Sequence, residues 1–79
     1  MDKKISFKIN GFTYEFFKKA TLTTNGITKI FYVKEYATSS HGLKAYCYVA
    51  TTDGNGKEID GRFRWIYKKY SSEVWKAIK

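Results

Sequence analysis

Proline is absent from this 79-residue chain, and cysteine and histidine occur once each. The lack of proline removes rigid polyproline linkers. It also leaves charge as the means of guarding any exposed sheet edge, a role open to lysines along the strands. A single cysteine, Cys47, rules out an intrachain disulfide and a thiolate metal cage, and fits a reducing compartment. One histidine, His41, cannot complete a zinc site with Cys47 unless carboxylates join. Its neighbours Ser39 and Ser40 do not make a catalytic dyad by adjacency alone. Acids are few and scattered: Asp2, Glu15, Glu35, Asp53, Glu58, Asp60 and Glu73. No two of them suggest a general acid with its base, or a two-metal centre. Gly54 and Gly56 are not followed by the Gly-Lys-Ser/Thr of a phosphate loop. No apolar run approaches the ~20 residues of a membrane span. Lys8 and Asn10 break the apolar stretch that a leader would need after Lys3 and Lys4. The expectation is a cytoplasmic, soluble, non-enzymatic protein without cofactor or metal.

What the chain does hold is positive charge and rings. Fifteen Lys and Arg face seven Asp and Glu, for a formal net charge of +8, and 19% of residues are aromatic. Residues 62–79 concentrate both, with Arg62, Arg64, Lys68, Lys69, Lys76 and Lys79 against the single acid Glu73. Phe63, Trp65, Tyr67, Tyr70 and Trp75 lie among them. With 43% hydrophobic and 28% charged residues, the chain reads as one globular domain over residues 1–79.

Strand signals dominate. Ile5, Phe7 and Ile9 alternate with polar residues, Asn10-Gly11 follows, and Phe12, Tyr14 and Phe16 resume the alternation. This pattern predicts a β-hairpin over 4–17, its second strand running on toward Thr24. A second Asn-Gly at 25–26 predicts another hairpin into a strand over 27–37. There Phe31 and Val33 share one face, and Ile30, Tyr32 and Tyr36 the other, as in a central strand covered on both sides. Residues 38–42 read as a flexible loop. Residues 43–52 read as a strand with Leu43, Ala45, Cys47 and Val49 on one face and Tyr46 and Tyr48 on the other. Asp53-Gly54-Asn55-Gly56 signals a turn, after which Lys57 to Asp60 begins another strand. Propensity favours a strand over 61–68, then a helix over 72–78 capped by Ser71 or Ser72, with Val74, Trp75 and Ile78 packed on the sheet. The alternative for this stretch is one helix from Gly61 to Ile78. The fold expected is α+β: a twisted antiparallel sheet of four to six strands, built of hairpins, with a short C-terminal helix. A small SH3-like barrel is the alternative.

Residues 45–78 place an aromatic strand, the Asp-Gly-Asn-Gly-Lys turn, a second strand and a short Ser-Ser-Glu-Val-Trp-Lys-Ala-Ile helix in that order. The order resembles the three-stranded, one-helix DNA-binding domains at the N-termini of some tyrosine recombinases. Extra residues between turn and helix, and two strands ahead, depart from that pattern, so no site residue is carried over from it. Cations interleaved with flat rings suit a polyanion, above all DNA or RNA. The expected contact residues are Arg62, Arg64, Lys68, Lys69 and Lys44, with Lys18 or Lys19 at the flanks, and Tyr46, Tyr48 and Trp65 as stacking rings. For Tyr46 and Tyr48, burial of at least one ring is the competing expectation. A second function class is a protein-interaction factor of the phage or plasmid inhibitor or adaptor type, docking an acidic protein or a ribonucleoprotein. The chain is a monomer or an edge-strand homodimer on this reading.

Overall fold

The computed structural model describes residues 4–78. Six strands and one helix follow in order: β1 (Ile5–Ile9), β2 (Phe12–Phe16), β3 (Lys18–Thr24), β4 (Ile27–Ser39), β5 (Gly42–Thr52), β6 (Glu58–Tyr67) and α1 (Ser72–Ile78). Strands β3-β4-β5-β6 form a four-stranded antiparallel sheet in sequence order, and β1-β2 form a separate two-stranded sheet. The result is the α+β arrangement of hairpins with one C-terminal helix. With β3 and β6 left as open edges, no closed barrel forms.

Both Asn-Gly pairs turn as their chemistry dictates. Asn10 and Gly11 have φ of 52° and 86°, and Asn25 and Gly26 have 53° and 78°. Two successive positive φ values are the signature of tight hairpin turns matched to strand twist. Residues 38–42 are tighter than the flexible loop expected from their composition. The β4–β5 ladder runs to Ser39 opposite Gly42, leaving only Ser40 and His41 at the tip. Ser39 Oγ accepts the His41 N–H at 3.1 Å and donates to the Gly42 carbonyl at 3.2 Å, so the small polar residues close the turn themselves.

The sheet is covered on its back face and on part of its front. On the back, α1 covers Ala20, Phe31, Val33, Ala45, Cys47, Val49 and Ile66 with Trp75 and Ile78, and Val74 packs against this cluster. Ser71 acts as the cap: its carbonyl accepts the Trp75 N–H at 3.1 Å, the first bond of the helix, and Glu73 lies in the positive first turn. The buried Trp75 indole N–H is satisfied by the Ile66 carbonyl at 3.1 Å. On the front, the β1-β2 hairpin lies over Tyr48 and Ala50, with Ile30, Tyr32 and Phe63 packed beneath it. Phe12, expected to share the face of Tyr14 and Phe16, stays exposed next to the turn.

The chain passes between layers at Phe16-Phe17. Instead of one strand running on to Thr24, β2 ends at Phe16, and Phe17 bends the chain into β3 with its N–H on the Val33 carbonyl at 3.0 Å. Consecutive rings thereby serve opposite sides. Phe16, 1% exposed, joins the front cluster, while Phe17 packs against the back one.

One face assignment changes. Tyr36, expected with Ile30 and Tyr32, lies on the back, edge-on to Phe17 at 5.2 Å and against Trp75 at 5.4 Å. The cause is a β-bulge: Val33 pairs with Cys47 and Glu35 with Tyr46, leaving Lys34 as the extra residue. Without it, Glu35 would face the helix-side core and Tyr36 the front; the extra residue reverses both.

Two outcomes check this packing. Phe16→Ala is expected to cost about 3–5 kcal/mol of unfolding free energy in a denaturant titration; a loss within error of zero would contradict the hairpin's place in the core. Burial pushes the Cys47 thiol from 9.0 up to about 12. Above about pH 9 the unfolded chain therefore ionises this thiol and the folded chain does not, so its contribution to stability is whole below that pH and is lost as pH rises toward 12. In a thiol-labelling assay near about pH 8, Cys47 is expected to react only as the protein unfolds; rapid labelling under native conditions would contradict it.

Candidate nucleic-acid interface

The hairpin covers only part of the front face. It shields the rows of β5 and β6 that hold Ala50, Tyr48 and Phe63, and stops there. Beyond it the ladder continues as Tyr46 opposite Trp65 and Lys44 opposite Tyr67. Paired residues of an antiparallel ladder project to the same side, so these four side chains form one strip on the front. The strip starts where Tyr46 stacks on Phe63, with centroids 5.4 Å apart and planes 15° apart. Trp65 follows at 4.9 Å from Tyr46. The Lys44 ammonium sits 4.2 Å from the centroid of Trp65 and 5.6 Å from that of Tyr67, close enough for cation–π attraction to both. Tyr67 meets Tyr70 at 6.0 Å, and Lys69 lies 5.6 Å from the Tyr70 ring. His41, at the tip of the β4–β5 turn, lies edge-on to Tyr67 at 6.2 Å and 6.4 Å from Tyr70. Trp65 is 36% exposed and Tyr70 is 65% exposed.

Of the residues singled out in the sequence, the fold thus brings together Lys44, Tyr46, Trp65 and Lys69. It places Tyr48 elsewhere. That ring is 7% exposed, lies under the hairpin at 6.1 Å from Phe7, and directs its hydroxyl toward Glu58 at 3.5 Å. Burial, then the charge of Glu58, raises its pKa and keeps it a neutral phenol. The cover is the hairpin and not the C-terminal helix. A side chain at Gly61 would collide with the Tyr48 hydroxyl and come within 2.8 Å of Cζ, so the glycine makes room for the ring.

The cations do not converge on one surface. Arg62 lies opposite Val49 and Arg64 opposite Cys47, which puts both on the back, the face against which the helix packs. Lys68 lies there too, lining a shallow groove with Ser72, Trp75 and Lys76. Alternation along β6 therefore assigns rings to one side of an edge strand and cations to the other. Arg62 is also occupied: its Nε and Nη2 both reach Asp60 Oδ2 at 3.2 Å. Among the described residues the only other ion pair is Lys4–Glu15 at 3.5 Å. Lys18 and Lys19 sit on β3, the far edge, about 14 Å from β6 across three strand spacings. Lys19 instead lies 5.9 Å from the Tyr32 ring. Lys79 lies outside the described residues.

Strand alternation already sets Tyr67 beside Trp65 as a candidate stacking ring; sequence reasoning missed the contribution of Tyr70 and His41, which come from turns whose geometry no periodicity encodes. Glu35 also borders the strip, placed opposite Tyr46 by the bulge. Among the described residues no group of three His, Cys, Asp or Glu side chains is placed to hold a metal ion, and no helix is long and apolar enough to cross a membrane.

Lys44→Ala is expected to uncover the face of Trp65. Acrylamide quenching of tryptophan fluorescence should then increase, with about 0.5–1 kcal/mol lost in stability. Unchanged quenching would show that the ammonium does not rest on the indole. No protein-family model matches the chain, and neither a curated protein nor a solved structure matches it.

Proposed function

We propose that this chain is a non-enzymatic nucleic-acid-binding module that contacts the phosphate backbone with limited sequence specificity. The observation that carries the reading is strand β6 itself. It is an open edge with Trp65 and Tyr67 on the front, and Arg64 and the following Lys68 on the back. Lys44 and Lys69 add positive charge among the rings. None of these four cations has a carboxylate partner among the described ion pairs, Lys4–Glu15 and Arg62–Asp60. Cations left unpaired on a chain with a net charge of +8 repel one another and favour a polyanionic partner.

Limited specificity follows from the chemistry on offer. Base identity is read best by forked donors aimed at base edges; Arg62 already spends its fork on Asp60, and Arg64 lies on the back, away from the rings. Lysines act as point charges toward phosphate, and ring faces accept any base.

The test is a salt titration of binding to a fluorescein-labelled oligonucleotide, followed by anisotropy. Engagement of about four phosphates on a single strand gives a slope of log K against log[salt] of about −3. Arg64→Ala and Lys68→Ala should each make the slope shallower by about 0.7. Absence of binding even at low salt would overturn the reading, and would leave the exposed rings as anchors for a protein partner.

A further inference from the structure

We infer that the ligand of this surface is a single strand, whose bases stack on the ring strip of β5 and β6. This rests on the nucleic-acid reading above and goes further by naming the form of nucleic acid.

Two observations carry it. The first is the kind of surface the strip offers. Part of its ring surface is open: Tyr46 is stacked on Phe63 and Lys44 rests on Trp65, but Trp65, tilted 44° from Tyr46, is still 36% exposed, and Tyr70 is 65% exposed at the end of the strip. In a duplex each base face is covered by its neighbours, and only groove edges and phosphates are accessible. A ring face on a sheet therefore has no partner in a duplex, whereas splayed bases of a single strand stack on it directly.

The second is the character of the elements shaped to enter a groove. An α-helix and a two-stranded ribbon are the shapes that a major groove admits, and this protein has one of each. The outer face of α1 shows Ser72, Glu73, Lys76 and Ala77, one charge of each sign. On the outer face of the β1-β2 ribbon, Lys8 lies opposite Thr13 and is the one cation outside an ion pair, since Lys4 is paired with Glu15. Neither is a cationic reading surface. Around β6, Lys44 and Lys69 lie among the rings and Arg64 and Lys68 on the strand's other side, all outside the described ion pairs; Lys18, Lys19, Lys29 and Lys34, also outside them, lie on β3 and β4. A flexible strand draped over the β6 edge reaches rings on one side and phosphate-binding cations on the other.

The experiment compares one labelled mixed-pyrimidine oligonucleotide alone with the same oligonucleotide annealed to its complement, at equal salt. Binding of the single strand is expected to be at least about tenfold tighter and to quench Trp65 fluorescence. Trp65→Leu is expected to weaken it about 5- to 100-fold, and Trp65→Phe to restore most of the loss because it keeps a ring. Native Cys47 protection from labelling certifies that each variant is folded. Equal or tighter binding of the duplex, or a Trp65→Leu variant that binds the single strand undiminished, would overturn the single-strand assignment while leaving nucleic-acid binding intact. Failure of both forms to bind at low salt would instead overturn the functional reading on which it rests.

Discussion

The insertion of Phe16 into the front of the sheet is the contact on which the remaining architecture depends. Its ring, stacked on Phe7 at 5.2 Å and packed near Tyr32 and Phe63 at 5.7 and 6.4 Å, anchors a hairpin too small to hold structure alone. An aromatic side chain buries ~150–250 Å², so a cluster of this kind supplies the apolar burial that a chain of 79 residues without disulfides needs. The hairpin's reach also sets where the cover ends. Tyr48 and Phe63 lie beneath it; Tyr46, Trp65 and Tyr67 do not. The boundary between core and surface thus falls inside a single aromatic ladder.

A second constraint comes from the bulge at Lys34. Two adjacent charges, Lys34 and Glu35, interrupt a strand that is buried on both faces. The bulge keeps Glu35 out of the helix-side core and sets Tyr36 on the back, where it stays 41% exposed beside Phe17 and Trp75. It couples the two layers, since the same register shift that places Tyr36 beside the back core sets Glu35 opposite Tyr46 on the front. Local strand chemistry and the placement of charge around the site are therefore one adjustment.

Much of this was legible in the sequence. Alternation and the two Asn-Gly pairs locate the hairpins, and Ser71 with Glu73 locates the helix start, because those signals are local. The opposite-face placement of Arg64 and Trp65 is also local, being strand parity. What was hidden depends on tertiary packing or on a single extra residue. Nothing in Phe16-Phe17 states that the chain bends there. Parity without the bulge puts Tyr36 on the wrong face. Tyr46 and Tyr48 are indistinguishable by pattern, and only the hairpin's length separates a buried ring from a half-buried one. The gathering of cations on one surface, natural to expect from their density along the chain, fails because an edge strand divides its side chains between two faces.

The central claim is that the uncovered end of the β5–β6 ladder is where the protein meets its ligand. Its two tryptophans report this directly, one on the strip and one on the buried side of the helix. In a titration of isotopically labelled protein with a single-stranded oligonucleotide, the indole Nε1–H resonance of Trp65 and the amides of Lys44, Tyr46 and Tyr67 should shift. The indole of Trp75 and the amides of β1 and β2 should stay in place. Shifts confined to the hairpin or to the outer face of α1, with Trp65 unmoved, would contradict the account.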